Sequence, residues 1–328
     1  MAVTAALLMT GCGGSGEPET GEKHGEPFLR CARPYDDGVR EKFRLPPLEV
    51  ERNGYDVSIH GITRGLVVLG LLAGITEPTE ANLKNLDFFL DQFKAAGVQS
   101  ILVAGGVGRS VDHVTKVLDR LARAPVPILL SPGAQENFDV FRKAVEKKRE
   151  ISPQLLDMTR VRRVRVSNVT VVSLPGHNKP FYLSAGKRGC AYDEDDLAKT
   201  ASLFEKERTT VILAPSPPRG IGQRSVDRSR GGVNIGDTVL ARVLSDFKVR
   251  FGLFGYVYEA GGHATHDDLT TQAVPGVWQE SLFLQAGTSE AVPISLVGEG
   301  RSVGMAQIVE FSGRRGRFRT ILAGAGGH

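Results

Sequence analysis

The side chains best suited to bind a metal ion cluster at His263, where His266, Asp267 and Asp268 follow closely. On a helix, His263 and His266 would lie on one face, because their i, i+3 spacing is close to one turn. Imidazole nitrogens and carboxylate oxygens are ligands that zinc and related divalent metals accept. The group follows the Gly261-Gly262 pair, however, and an exposed polar loop without metal is the interpretation that we prefer.

Other ionisable side chains along the chain are further candidates for metal binding: Glu77, Glu136, His177, Asp227, Asp237 and Glu259. We expect Glu136 at a helix N-terminus, where a negative charge suits the helix dipole. We expect His177 to act as a cap or to lie in the core with its hydrogen bonds satisfied. The chain has neither a Gly-x-Ser-x-Gly elbow nor a Walker loop, which removes two common catalytic classes.

Arg219 is a candidate for anion binding, because Pro217 and Pro218 stiffen the loop that carries it. A guanidinium held in this way can bind a phosphate or carboxylate through two hydrogen bonds. The alternative is an ion pair with a structural carboxylate of the same protein. The sequence leaves both roles of Arg219 open.

The elements that would position these residues form an α/β pattern. Continuous apolar runs predict buried strands at 66–72, 100–104 and 126–130, and amphipathic helices are predicted from Thr79 to Gly97, around 111–121 and over 136–148. The second half repeats the pattern with strands at 164–173, 210–214 and 249–254, helices at 193–206 and 236–247, and a meander over 280–322. Right-handed crossovers would place the strand C-termini on one rim, where open α/β sheets bind ligands.

Five segments at or near the ends of predicted strands carry a family resemblance: 71–76, 104–108, 132–136, 214–220 and 255–259. In order and approximate spacing they resemble the motifs of the calcineurin-like metallophosphoesterases, which are Asp-x-His, Gly-Asp, Gly-Asn-His/Asp, a lone His and Gly-His-x-His. The resemblance extends over about residues 60–290, and segments 174–178 and 217–220 are similar to stretches of some bacterial members. It implies a four-layer α/β/β/α sandwich in which helices flank two facing sheets.

The same resemblance shows that the metal-ligand positions carry other residue types. Those positions hold Gly74, Thr76, Gly106, Ala134, Pro215, Tyr256 and Tyr258. Glycine, alanine and proline have no donor side chain, and neutral hydroxyls bind divalent metals poorly. A two-metal centre that clamps phosphate is therefore not expected, so we predict no catalytic residue, no metal and no cofactor. We expect Tyr256 and Tyr258 to fill the site as packing groups.

Length and composition describe a globular protein: 328 residues, 41% of them apolar, with a formal charge of +4 and a pI near 9.0. This charge is too small to indicate nucleic-acid binding, and we predict none. The basic clusters at 160–165, 224–230 and 314–319 are assigned to solvated faces and strand edges.

Cys12 follows an apolar run and a small residue, Gly11, in a pattern that resembles a bacterial lipobox. We expect residues 1–11 to be a signal peptide, truncated if the true start lies upstream, and 12–55 to be a lipidated tether and N-terminal extension. Residues 56–328 would then form the phosphoesterase-like domain. Gly13 after the cysteine resembles outer-membrane sorting; the alternative is an ordinary apolar N-terminus with a chance Gly-Cys pair.

Export would place Cys31 and Cys190 in an oxidising compartment, where they either form a disulfide or remain as free buried thiols. The function that we expect is a non-catalytic binding or scaffold protein in the periplasm, anchored to the outer membrane by lipid, with another envelope protein as its partner. Two alternatives stay open. One is a phosphoesterase with a rebuilt or single-metal site, and the other is a decayed copy without activity.

Overall fold

The computed structural model describes residues 29–62, 65–298 and 300–324. In chain order the strands are β1 (Leu29–Arg30), β2 (Arg40–Leu45), β3 (Leu48–Asn53), β4 (Asp56–His60), β5 (Val67–Leu72), β6 (Ser100–Ala104), β7 (Ile128–Ser131), β8 (Leu155–Asp157), β9 (Arg163–Val166), β10 (Val169–Ser173), β11 (Cys190–Ala191), β12 (Thr209–Ala214), β13 (Phe251–Phe254), β14 (Ala264–Thr265), β15 (Leu282–Gln285), β16 (Ile294–Ser295), β17 (Arg301–Ser302), β18 (Met305–Ser312) and β19 (Arg315–Leu322). The α-helices are α1 (Glu80–Ala95), α2 (Val111–Leu121), α3 (Phe138–Arg149), α4 (Glu194–Ala201) and α5 (Thr238–Asp246).

Two large sheets face each other and form the centre of the molecule. One has six strands in the order β19-β18-β5-β6-β7-β8, and the other has nine in the order β14-β15-β13-β12-β10-β9-β4-β3-β2. Strands β5 to β8 are parallel, as are β10, β12, β13 and β15. One buried apolar cluster contains residues of both sheets, including Leu71, Leu129, Leu213 and Leu253. This arrangement is the predicted pair of facing sheets.

Helices cover the outer face of each sheet and complete four layers. The apolar sides of α1, α2 and α3 share a second buried cluster with the six-stranded sheet, and α4 and α5 share a third with the nine-stranded sheet. Each long helix begins at a polar cap, as in α1, where the Thr79 hydroxyl accepts the backbone N–H of Asn82. None of the helices among the described residues is long and apolar enough to cross a membrane.

Close packing of α1 on the six-stranded sheet depends on a bare backbone at Gly70. A Cβ built there would lie 2.6 Å from the Phe93 ring, which is almost fully buried. Every residue of β5 is buried, as expected for a parallel strand with one face on the helices and the other on the second sheet. The sequence of β5 is continuously apolar because the strand lies in the middle of the four layers, with both faces buried.

Several element boundaries differ from those predicted. The strand predicted at 164–173 is a hairpin of β9 and β10, because Ser167 takes a positive φ of 51° and reverses the chain. The helix predicted over 193–206 ends at Ala201, and the one predicted from 236 begins at Thr238. Strands β2, β3 and β4 form one antiparallel meander, and β4 begins at Asp56.

Candidate functional site

The five motif segments meet at one rim of the sandwich, beyond the C-terminal ends of β5, β6, β7, β12 and β13. We call this rim the motif site; backbone hydrogen bonds join its loops. Gly74 N donates to Gly105 O at 3.1 Å, and Tyr256 N donates to Pro215 O at 2.8 Å. A Cβ built on Gly133 would lie 3.1 Å from the Pro215 side chain. The fold therefore brings the resemblance-derived positions together, as their places after strands predicted.

Tyr258 lies over the two glycines at the centre of the motif site. A Cβ built on Gly74 would lie 3.0 Å from the Tyr258 ring, and one built on Gly106 would lie 3.0 Å from the Tyr258 hydroxyl oxygen. A Cβ on Gly74 would also meet Thr288 Oγ1 at 2.6 Å. The phenol thus fills the space into which longer side chains at positions 74 and 106 would have to extend.

A buried carboxylate, Glu136, lies beside the same loops. Its side chain accepts the backbone N–H groups of Gly106, Val107 and Gly133 at 2.5, 2.9 and 2.9 Å. Only 1% of Glu136 is exposed, and burial raises the pKa of its carboxyl although the three N–H donors oppose this shift. Helix α3 begins at Phe138 after the cap Asn137, so Glu136 directly precedes the helix N-terminus as expected, but its carboxylate accepts N–H groups of the neighbouring loops and none of α3. Its role is to bind two neighbouring loops.

Thr76 is held by two groups that the motif pattern does not include. Its hydroxyl donates to Gln135 Oε1 at 2.8 Å, and its backbone N–H donates to Glu290 Oε1 at 2.8 Å. Glu290 also accepts the N–H of Glu77 at 2.9 Å. Burial, followed by the nearby charges of Glu136 and Glu290, raises the pKa of the Tyr258 phenol. A raised pKa keeps this phenol neutral, and a neutral phenol is a poor metal ligand.

The Tyr256 ring does not lie over the two glycines but packs with His177 and Tyr182. The ring centroids of His177 and Tyr256 are 4.9 Å apart, and those of His177 and Tyr182 are 5.1 Å apart. Tyr256 also packs against a small buried cluster that includes Ala134. Burial is the main cause that raises the pKa of Tyr256 to about 12.

His177 is a core histidine in this aromatic group. Its Nδ1 accepts the backbone N–H of Lys179 at 3.0 Å, and burial, with a smaller contribution from the Lys179 charge, lowers its pKa to about 3. The expectation of a buried histidine with a satisfied hydrogen bond is confirmed.

The residues present at the motif site do not fit a two-metal centre. Glycine, alanine and proline at positions 74, 106, 134 and 215 offer no donor atom, and the two tyrosine rings are packed. Among the described residues, Glu136 and Glu290 bring carboxylates to the site, and both accept backbone N–H groups. A metal would have to displace these hydrogen bonds as well as the Tyr258 ring.

The helical interpretation of His263 and His266 is wrong, because Ala264 and Thr265 between them form strand β14. His263 reaches the carbonyl oxygens of Ser225 and Val297 at 3.4 and 3.3 Å, whereas His266 Nδ1 lies 3.1 Å from Ser281 Oγ. The two imidazoles therefore have separate partners.

Three of the remaining candidate acids, Asp237, Asp268 and Glu77, serve local structure or lie beside a base. Asp237 caps α5 and accepts the Tyr192 hydroxyl at 3.0 Å, and Asp268 accepts backbone N–H groups of its own turn. Glu77 lies 3.3 Å from His113 Nδ1. Within the described part of the chain, the one group of three potential metal ligands is Asp193, Asp195 and Asp196, which pairs with Arg30 and Arg33.

Arg219 is exposed, and no ion pair involves it among the residues that the structure describes. Its backbone N–H donates to Asp237 O at 2.8 Å, which fixes the loop. Cys31 and Cys190 are joined by a disulfide with Cα atoms 5.7 Å apart, and Cys190 O accepts the N–H of His177. Cys12 lies outside the described residues.

The chain matches no family model and no curated protein in sequence, whereas 60 chains of solved structures match its fold. One aligns with a TM-score of 0.53 at 12% identity, and TT1561 of Thermus thermophilus aligns with 0.50 at 13%; each alignment covers 78% of this chain and 99% of the other. A dimetal phosphatase from Danio rerio aligns over 79% of this chain and 99% of its own, at 12% identity and a TM-score of 0.46.

The chain has the predicted four-layer α/β/β/α fold, a metallophosphoesterase-like sandwich. Identities of 12–13% show this fold alone, so activity has to be argued from the residues at the rim.

The sequence patterns did not identify four residues in or beside the motif site: Glu290, Gln135, Thr288 and Tyr182. Glu290 comes from a stretch predicted only as part of a meander, 214 residues from its partner Thr76. Gln135 could have been found, because it lies within the third motif segment beside Ala134.

Proposed function

We propose that this protein is a non-catalytic binding or scaffold protein built on the metallophosphoesterase fold. The single observation that carries the proposal is the packing of Tyr258 against Gly74 and Gly106. It leaves no volume for ligand side chains at two of the positions where active members carry acids. Loss of the metal-ligand side chains alone would leave an open pocket. In this protein the Tyr258 ring fills that space as well.

The hydrogen bonds of the motif site support a structural role for its polar groups. Glu136 joins the loop of Gly106 to the loop of Gly133, and Glu290 joins the loop of Thr76 to the segment before β16. A carboxylate that accepts two or three N–H groups is well satisfied and has little reason to exchange them for a metal. The carboxylates of Glu136 and Glu290, which a rebuilt metal centre would need as ligands, are already used to join the loops of the motif site.

The proposed location is the bacterial envelope, with a lipid on Cys12 and the domain facing the periplasm. The lipobox-like sequence before Cys12 supports this location, and the disulfide between Cys31 and Cys190 is typical of an oxidising compartment. The proposed partner is another envelope protein, and the proposed contact with the membrane is the lipid anchor alone.

Metal analysis and a turnover assay on the full chain test the lack of catalysis. The purified protein is dialysed, incubated with Mn²⁺ or Zn²⁺, freed of excess ion and analysed for bound metal. The same samples are incubated with an aryl phosphate diester, with and without a chelator. We expect no stoichiometric metal and no hydrolysis above the buffer rate. Stoichiometric metal together with chelator-sensitive turnover would establish a rebuilt phosphoesterase site and overturn the proposal.

A further inference from the structure

A cavity of about 850 Å³ lies beside β14 at the edge of the nine-stranded sheet. None of its lining residues belongs to the five motif segments, so it is distinct from the motif site. Its lining residues come from the loop between β12 and α5, from the region around β14, from the segment 296–298 and from Phe318. Cavities of roughly 300–1,000 Å³ are the usual size for small-molecule ligands.

Three arginines of one loop, Arg224, Arg228 and Arg230, line this cavity. Arg224 Nη1 donates to Gln272 Oε1 at 3.4 Å, and Arg228 Nη1 donates to Asn234 Oδ1 at 3.0 Å. Over the ranges 29–62, 65–298 and 300–324, none of the three forms an ion pair with a carboxylate, and none of the described lining residues is acidic. Positive groups that share a concave site without counter-charge create a field that attracts anions.

The loop that carries the arginines is fixed by its own carboxylate, Asp227. This side chain is fully buried and accepts the Ser225 hydroxyl at 2.6 Å, the Asn234 side-chain amide at 2.7 Å and the Gly236 N–H at 2.9 Å. Asn234 thus links Asp227 to Arg228. Because the Asp227 charge is directed inward and satisfied, it shapes the loop without pairing with the guanidinium groups.

The lining also includes apolar residues, Ala273, Pro275, Leu296, Val297 and Phe318. His263 contacts both the arginine loop and the segment 296–298, since its ring nitrogens lie 3.4 Å from Ser225 O and 3.3 Å from Val297 O. The cavity therefore combines cationic donors with carbon surface.

We propose that this cavity binds a small organic phosphate, with the phosphate against the arginine loop and the carbon portion against Leu296 and Phe318. Guanidinium groups match phosphate oxygens through paired charge-assisted hydrogen bonds, which favours phosphate over a neutral ligand. The proposal does not depend on whether the motif site is catalytic.

Calorimetric titration of the full chain with phenylphosphonate, which resists hydrolysis, tests the proposal at constant ionic strength. The parent protein binds it, and the R224Q/R230Q variant binds at least about tenfold more weakly, because two guanidinium groups that donate charge-assisted hydrogen bonds to the phosphonate are removed. Arg224 and Arg230 are exposed, so the variant should keep the parent's melting temperature. The matched control R219Q removes one exposed arginine outside the cavity and should bind like the parent.

Further ligands test the contributions of the arginines and of the apolar lining separately, and distinguish a soluble phosphate from a lipid headgroup. Inorganic phosphate should bind more weakly than phenylphosphonate, and benzyl alcohol should not bind. Vesicles of phosphatidylcholine with phosphatidic acid are compared with phosphatidylcholine alone: a preference that R224Q/R230Q loses identifies a lipid headgroup, and no preference identifies a soluble ligand.

The proposal fails if the parent does not bind phenylphosphonate, or if R224Q/R230Q binds it as well as the parent does. If R219Q loses the binding and R224Q/R230Q keeps it, the ligand binds at Arg219 and not in the cavity, and the proposal is wrong. Glu299 follows the lining residue Gly298 and lies outside the described residues, so E299Q is included. Binding by E299Q but not by the parent would mean that an internal acid neutralises the arginines, and would also overturn the proposal.

Discussion

Gly106 packs backbone to backbone against Gly74 at the centre of the motif site. A Cβ on Gly106 would lie 2.6 Å from the Cα and 2.7 Å from the backbone nitrogen of Gly74. Backbone atoms cannot move aside as a flexible side chain can, so no larger residue fits at position 106 while both loops keep their places. The close contact between the two loops therefore requires glycine at position 106, and a metal-ligand side chain cannot be placed there without moving a loop.

Replacing Gly106 by alanine should strongly destabilise the protein. Gly106 has a φ of +77°, which costs a non-glycine residue about 1–2 kcal/mol, and the clash with Gly74 adds about 1–3 kcal/mol of overpacking. We expect urea unfolding of G106A to show a loss of roughly 2–5 kcal/mol. Gly38 provides the matched control, because its φ is +74° and a Cβ there meets nothing within 4 Å. G38A should lose only the conformational part; equal losses in the two variants would mean that the glycine contact does not constrain the site.

Restoring metal-ligand residue types at four positions should not restore activity. The variant G74D/G106D/Y256H/Y258H removes the Tyr258 ring, yet the Cβ of Asp at 106 still meets the Gly74 backbone. Each carboxylate buried without a partner costs several kcal/mol or becomes protonated. We expect a lower melting temperature than that of the parent and no metal-dependent hydrolysis. Pro215, Ala134 and Thr76 still lack ligand atoms of the required kind.

The control for this experiment is Y256H/Y258H, which removes the two rings without adding carboxylates. If the four-site variant melts at the parent's temperature and hydrolyses an aryl phosphate diester with added manganese, the motif site is more open than its packing indicates. Such a result would favour a recently decayed enzyme over a scaffold.

His177 should make the stability of the protein depend on pH. Burial lowers its pKa from the ordinary value of 6.5 to about 3 in the folded state. The neutral ring therefore contributes its full stabilisation above pH 6.5, and this contribution declines as the pH falls towards 3, because the unfolded chain takes up the proton first. The slope from one such group is at most about 1.4 kcal/mol per pH unit.

Denaturant unfolding at a series of pH values checks this dependence. H177N should be less stable than the parent at pH 7, and the difference between the two proteins should shrink on acidification below pH 6.5. H60N, which changes an exposed histidine, should run parallel to the parent. A constant difference between H177N and the parent across the range would show that His177 does not titrate differently in the folded state.

The apolar runs of the sequence predict the buried parallel strands well, whereas the four-layer sandwich is what the family resemblance implies. Strands β5, β6 and β7 are continuous apolar runs, and their order with the helices predicts parallel pairing. The turn at Ser167 was missed, since a serine with positive φ leaves no mark in the pattern of apolar residues. The joining of β2 and β3 to the large sheet depends on pairing with β4, which composition does not encode.

For the motif site, the sequence identifies the positions without donors but not the contacts that replace them. Tyr258 fills the space above Gly74 as expected of a bulky residue, whereas Tyr256 turns towards His177 although it is only two positions away. Tyr256 precedes the 3₁₀ turn over Tyr258–Ala260, and Tyr258 is its first residue. Contacts such as Glu290 with Thr76 depend on tertiary structure and have no local signal.

The disulfide should stabilise the segment that carries His177. Cys31 and Cys190 close a loop with a sequence separation of 159 residues, and Cys190 O accepts the His177 N–H. We expect C31S/C190S to lose about 2–5 kcal/mol of unfolding free energy and to become insensitive to reductant. The single variant C12S is the control for changing a cysteine to serine and should keep the parent's reductant sensitivity. A parent whose unfolding does not respond to reductant would argue for two free thiols.

Cys12 should carry a lipid that holds the protein at the membrane. The prediction rests on the lipobox-like run that ends at Cys12 and on the composition of residues 13–27, which is rich in Gly, Glu and Ser as in linker sequences. A lipidated cysteine anchors a domain by burying its acyl chains, whereas a serine at the same position cannot be lipidated. After cell fractionation we expect the parent in the membrane pellet and C12S in the soluble periplasmic extract. C31S/C190S, which retains Cys12, should stay in the pellet, and mass spectrometry of the parent's N-terminal peptide should show the added acyl mass. If C12S sediments with the membrane as completely as the parent, a protein contact and not a lipid holds the domain there.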